Sequence, residues 1–277
     1  MYIVYSFTKF SFSILKNDPK RNYQKKKIII FYLKVLINTI LNYNKKKKYN
    51  SEIVYCTPKK EIYFKKKEII IEYKDSILAD KYKLLVENNI IKNTTYIKNN
   101  NFKQLLFTPE KNITFNFILL KNIIKSNLIK LYKIKLNSND NYFSDLKLKV
   151  SRIKLTELHL NFIKELSLKR NCQQVNIAYV HGDFWRGNII KSLGKFEVID
   201  WDDLSIKSFS YDVFYFYFQE NNCDLLFFKD NYKPLLNEIY PILTEIANDI
   251  GVDFKETDYE LYWTIFILER IIKMYEK

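Results

Sequence analysis

His181-Gly182-Asp183-Phe184-Trp185-Arg186-Gly187-Asn188, followed after a short apolar stretch by Val198-Ile199-Asp200-Trp201-Asp202, holds the polar residues of this chain that folding alone does not account for. Two of the four glycines in the sequence stand in the first stretch, which points to backbone at unusual φ or in close approach. Asp183 and Asn188 are five residues apart across a tight loop, and Asp200 follows Asn188 by twelve at the end of an apolar strand. A hairpin from Ile189-Ile190, through Ser192-Leu193-Gly194, to residues 196–199 would gather the three oxygen-bearing side chains. Hard oxygen donors converging in this way suit Mg²⁺.

Outward from this stretch, the text changes character twice. Residues 61–64 and 68–74, rich in Ile, Tyr and Phe and separated by three lysines, read as an antiparallel pair of strands. A helix follows from Ser76 to about Asn89, with Leu78, Tyr82, Leu85 and Val86 on one face, then short strands near 95–97 and 104–107 closed by Thr108-Pro109. After Phe115 the apolar spacing becomes helical over 117–131 and 146–168. The strand at 175–180 and the hairpin interrupt it, and helices resume over 214–228, 235–250 and 259–275. Strands first and helices afterwards predict an α+β fold.

The 277 residues carry 46 Lys and Arg against 31 Asp and Glu, a net charge of +15, and 47% are hydrophobic, which excludes a disordered chain. All but five of the basic residues are Lys, alongside abundant Ile, Asn, Tyr and Phe, so codon composition accounts for the charge without a polyanionic partner. No nucleic acid is expected as a partner, since the motifs of its best-defined docking modules are absent. Cys56, Cys172 and Cys223 form no C-x-x-C pair, and His159 and His181 are the only histidines, so neither a disulfide framework nor a histidine-rich metal centre is expected. The apolar run 28–43 lies between lysine clusters and is interrupted by Lys34, Asn38 and Asn42. It is too short and polar to span a bilayer and reads as an amphipathic helix. That helix packs on the protein or makes peripheral contact with an anionic membrane surface. Lys9, Lys16 and Lys20, without a small-residue cleavage pattern, argue against a secretory signal, and the expected location is cytoplasmic.

His181-Gly182-Asp183, four residues, Asn188, an apolar strand ending in Ile199-Asp200 with Trp201 and Asp202, then Tyr211-Asp212-Val213: in this order the chain resembles the aminoglycoside phosphotransferase and choline kinase-like small-molecule kinases. The resemblance covers about residues 175–216. It implies a protein kinase-like, two-lobed α+β fold with ATP and Mg²⁺ in the cleft. The sheet-containing N-terminal lobe takes residues 1–112, with 1–50 left unplaced, and the mainly helical C-terminal lobe takes 113–277. It further implies that Asp183 is the catalytic base, that Asn188 and Asp200 bind Mg²⁺, and that Asp212 braces the catalytic loop. The reaction implied is γ-phosphoryl transfer to a hydroxyl of a small molecule or glycan. Candidate acceptors are an amino alcohol, an aminoglycoside-like compound or a cell-surface saccharide precursor.

Around this core, His181 reads as a buried imidazole supporting the loop, and Asp202 as a neighbour of the metal or a turn cap. Arg186 is a candidate contact for a phosphate or an anionic acceptor, or else a solvated loop cation. Trp185 and Trp201 either wall the acceptor site or pack in the core. On the nucleotide side no glycine precedes Gly182, so no glycine-rich loop exists. The nearest candidate for a phosphate-binding lysine is Lys74, at the end of 68–73, with Glu87 thirteen residues later as its partner. The acidic run 200–203 leans towards a cationic acceptor. Two other readings compete: a catalytically weak kinase-fold binding protein, favoured by the missing glycines, and a membrane-surface or polyanion-binding protein.

Overall fold

The computed structural model describes residues 40–41, 45, 49–51, 53–65, 68–92, 94–105, 117–156, 174–192, 194–221, 225 and 232–275. Most of the lysine-flanked run 28–43, together with His159, Cys172, Cys223 and the downstream parts of the helices expected over 146–168 and 214–228, lies outside the described residues. The chain divides into two units: Met1–Thr114 with Arg186–Asp202, and Phe115–Trp185 with Asp203–Lys277. Where the sequence reading puts all of 113–277 in one lobe, the segment Arg186–Asp202 groups with the sheet.

The sheet unit runs β1 (Ile53–Cys56), β2 (Lys60–Phe64), β3 (Glu68–Tyr73), α1 (Ser76–Glu87), β4 (Thr94–Lys98) and β5 (Asn101–Leu105). Its strands lie in the order β1-β2-β3-β5-β4, every pair antiparallel. β3 sits at the centre, and its run Ile69-Ile70-Ile71 is buried throughout, as a strand covered on both faces requires. The β1–β2 turn closes without glycine: the Thr57 hydroxyl accepts from the Lys60 amide and donates to the Lys60 carbonyl, both at 3.0 Å. The carboxylate of Asp75 caps α1, accepting from the amides of Ile77 at 2.8 Å and Leu78 at 3.4 Å, a device worth about 1 kcal/mol. Leu78, Tyr82 and Leu85, spaced four and three apart, form its buried face, and Tyr82 meets Tyr73 and Phe102 with ring centroids 5.2 and 5.0 Å away.

The helical unit begins with α2 (Phe117–Asn127) and α3 (Ile129–Ile134), two helices where one spacing from 117 to 131 suggests a single helix. β6 (Asn137–Asn139), α4 (Tyr142–Ser151) and β7 (Val175–Val180) follow, and α4 ends at Ser151. After β8 (Ile189–Ser192) and β9 (Lys195–Val198), the hairpin of the sheet unit, come β10 (Ser205–Ser208), α5 (Tyr211–Glu220), α6 (Tyr232–Ile250) and α7 (Glu256–Tyr275). β10, β7 and β6 form a three-stranded antiparallel sheet. α5 and α7 make the core: Phe214 stands edge-on to Trp263 at 5.5 Å and tilted against Phe266 at 5.6 Å. Each fully buried ring of this kind contributes roughly 1.5–3 kcal/mol. The α+β class read from the sequence, a sheet-containing N-terminal part and a mainly helical C-terminal part, is the class of the structure. Among the described residues no helix is long and apolar enough to cross a membrane.

Candidate active site

In the helical unit β7 ends at Val180, and the chain turns through His181, Gly182 and Asp183. Gly182 has φ +81°, and a Cβ there would lie 2.2 Å from the carbonyl oxygen of Asp203, so both the conformation and the space demand glycine. The first turn of α5 supplies Asp212, fully buried, whose carboxylate accepts from the amides of His181 at 2.8 Å and Gly182 at 3.0 Å and from the Tyr132 hydroxyl at 3.2 Å. Burial pushes the Asp212 carboxyl above its ordinary range, against the pull of His181 and these donors. The buried His181 ring accepts from the Asp183 amide at its Nδ1, 3.2 Å away. Asp183 itself is half-buried, and one of its oxygens, Oδ1, accepts from the Tyr215 hydroxyl at 2.5 Å; Gln219 in turn donates to Tyr215 at 2.6 Å. Tyr215 lies one helical turn after Asp212, so a single face of α5 holds both the loop backbone and the carboxylate that the loop presents. Lys273 of α7 donates to the Gly182 carbonyl at 3.1 Å and to Asp203 at 2.6 Å.

The sheet unit holds Asn188 and Asp200 at one end of the β8–β9 hairpin. Ile189 pairs with Val198 in its register, and the Ile199 amide donates to the Asn188 carbonyl at 2.9 Å, which brings Asn188 and Asp200 to neighbouring positions. Asn188 is fully buried, while the Asp200 side chain is 18% exposed. Asp200 has φ +61°, a left-handed conformation costing roughly 1–2 kcal/mol that aspartate tolerates better than most residues. Asp202 follows in a 3₁₀ turn and is met by Lys60 of β2, whose Nζ stands 2.6 Å from Asp202 Oδ2 and 3.9 Å from Asp200 Oδ1. The Tyr73 hydroxyl donates to Asp202 Oδ1 at 3.4 Å. Among the described residues no three His, Cys, Asp or Glu side chains gather as a metal site. The donor set at this hairpin is a carboxamide and a carboxylate, hard oxygen ligands of the kind that Mg²⁺ takes one or two at a time, leaving its other positions to water and phosphate, so these residues fit that ion.

The remaining candidates divide by unit. Trp201 is buried and donates its indole N–H to the Val198 carbonyl at 3.0 Å, which makes it a core residue of the hairpin. Trp185 and Arg186 are half-buried where the chain passes from the helical unit to the sheet unit. Lys74 and Glu87 are not brought together. Lys74 sits 3.2 Å from Glu61 and donates to the Thr57 carbonyl at 3.2 Å, whereas Glu87 lies 3.7 Å from Lys83, one turn back on α1. Strand alternation is the reason: Tyr73 faces Asp202, so the next residue faces away from it. Of the acidic run 200–203, Asp202 is met by Lys60 within the sheet unit and Asp203 by Lys273 within the helical unit. Tyr215 and Lys60 escape the sequence reading. Spacing of three after Asp212 could have flagged Tyr215, but nothing local distinguishes Lys60 from the many other lysines.

Residues 140–229, which contain this loop, the hairpin and Asp212, match the model of the phosphotransferase enzyme family. The match falls on the stretch whose motifs carry the resemblance read from the sequence. Among solved structures the chain is similar to choline kinase LicA from Streptococcus pneumoniae, with 16% identity over 84% of this chain and 99% of that one and a TM-score of 0.39. It is also similar to amicoumacin kinase hAmiN, solved with AMP-PNP, Ca²⁺ and Ami, with 14% identity over 79% and 78% and a TM-score of 0.46. A third is aminoglycoside phosphotransferase APH(3'')-Id from Streptomyces rimosus, with 10% identity over 84% and 98% and a TM-score of 0.40. A comparison with curated protein sequences found no match.

Proposed function

We propose that this phosphotransferase-family protein transfers the γ-phosphoryl group of ATP, with Mg²⁺, to a hydroxyl of a small molecule or glycan. The observation that carries the reading is the bracing of the 181–183 loop by buried Asp212, which spends a carboxylate on holding two backbone amides so that Asp183 stays partly open to solvent. A turn needing only polar capping would not require a buried acid, whose desolvation is costly.

In this reading the acceptor hydroxyl gives its proton to Asp183 while its oxygen bonds to the γ-phosphorus and the bond to the β,γ-bridging oxygen breaks, releasing ADP. Tyr215 donates to Asp183 Oδ1 and so orients the carboxylate that takes that proton. Asn188 and Asp200 would hold the metal, which when bound offsets the charge of the triphosphate. The acceptor class comprises amino alcohols, aminoglycoside-like compounds and saccharide precursors.

The test is transfer of radiolabelled phosphate from ATP into fractionated metabolites and glycans. The wild type is expected to label at least one fraction in a Mg²⁺-dependent manner, and Asp183→Asn to lose about 10²–10⁴-fold of that rate with nucleotide binding kept. Transfer by Asp183→Asn at the parental rate would remove Asp183 as the base.

A further inference from the structure

We propose that Lys60, carried by β2, is the lysine that binds the nucleotide's phosphates in this protein. The inference rests on the phosphotransferase reading and names a residue that neither the motifs nor the family segment 140–229 contains.

Register delivers this lysine. β2 and β3 pair Lys60 with Tyr73, so the two side chains leave the sheet on the same face, and both reach Asp202. The Lys60 ammonium lies 5.7 Å from the centroid of the Tyr73 ring. Tyr73, 3% exposed and packed on Tyr82 of α1, fills the inward position at the end of the central strand with a neutral ring. That leaves the neighbouring strand to supply the cation. Lys74 projects to the opposite face, where its ammonium serves Glu61.

Charge then argues for a phosphate role. Lys60 stands between Asp200 and Asp202, side chains 18% and 26% exposed, its own 16% exposed, so one positive charge faces two negative ones. An ammonium 3.9 Å from the Asp200 carboxylate is placed to meet a phosphate group bound beside that carboxylate. Asp202 is then the resting counter-ion that Lys60 exchanges for phosphate. The plainer alternative is an ion pair that only ties β2 to the turn after β9.

Two measurements on the full chain separate these. In the first, calorimetry gives the affinities of Mg·ATP and of adenosine for the wild type, Lys60→Met, Lys60→Arg and Asp202→Asn. The expectation is that Lys60→Met weakens Mg·ATP by about tenfold to a hundredfold while adenosine changes less than about twofold. Lys60→Arg should recover part of the loss, and Asp202→Asn should bind Mg·ATP at least as well as the wild type. In the second, the unmodified protein is treated with an acyl-phosphate derivative of ATP, whose acyl carbon is attacked by a lysine beside the phosphates to form an amide and release ATP. Mass spectrometry should find the label on Lys60, blocked by excess ATP, and this arm decides if Lys60→Met does not fold. Parental Mg·ATP affinity in a folded Lys60→Met, or ATP-protected label on Lys74 in place of Lys60, overturns the proposal while leaving the phosphotransferase reading intact. Failure of the wild type to bind Mg·ATP or take any label overturns both.

Discussion

A methyl group on Gly182 would collide with the Asp203 carbonyl at 2.2 Å on a backbone already at φ +81°. Gly182→Ala is therefore expected to cost about 2–4 kcal/mol and to lower the melting temperature by several degrees, measured by calorimetry, unless the loop moves and takes Asp183 with it. Tyr215 acts at the same scale through a different route. Its hydroxyl holds one oxygen of Asp183, so Tyr215→Phe removes a tether from that carboxylate, and a misplaced base costs rate more than binding. We expect kcat to fall about tenfold with KM for ATP within about twofold, read from steady-state transfer once an acceptor is in hand. A matching rise in KM with kcat unchanged would count against a positioning role. Both residues serve Asp183, and only Gly182 stands out in the text, since a tyrosine is one of 22.

At the scale of elements, α5 is the organiser of the helical unit. Seven of its ten residues are buried, among them Asp212, an acid that helix packing alone would not place there. Asp212→Ala would leave two backbone amides and the Tyr132 hydroxyl without their acceptor, and should destabilise the protein by about 3–5 kcal/mol in urea titrations. Asp212→Asn, which keeps one acceptor oxygen, should lose less. The β1–β2 turn shows the converse economy: Thr57 closes the hairpin with its own hydroxyl and without glycine, and the residue that follows the turn is Lys60. Strand edges in the structure differ from the expected ones by one to three residues, and β1, β6 and β10 have no counterpart in the sequence reading, because strands of three or four residues carry too little alternation to be told from loops.

Across the whole molecule the two units carry buried acids of opposite character. Burial pushes the Glu61 carboxyl of the sheet unit up, but hydrogen bonds from Lys45, Tyr63 and Lys74 outweigh it and hold the group at about 2. Its folded value is depressed, so its contribution to stability is fully present above 4.5 and is lost as pH falls towards 2. In the helical unit, burial raises Asp212 and Glu269 above their ordinary 3.8 and 4.5, so their contribution is fully present below those values and fades as pH rises through the folded ones. Between pH 4.5 and 2 the sheet unit should therefore be the first to yield. Limited digestion with pepsin across that range is expected to cut first within residues 53–105, and Glu61→Gln to flatten the dependence. First cuts in α5 or α7 would contradict it.

The sequence by itself determined the α+β class, the hairpin and the 181–188 loop, because period-two and period-three-to-four apolar spacing and the Asp-x-x-x-x-Asn pattern are local properties of the chain. Asp183, Asn188, Asp200 and Asp212 could be named from such text. What only the tertiary structure decided was which lysine meets the acidic turn and which side chain holds Asp183. Lys60 reaches Asp202 over 142 residues of chain, and Tyr215 reaches Asp183 over 32. Contacts of that kind are fixed by strand register and helix packing, whose partners lie too far apart in the text for any spacing to record.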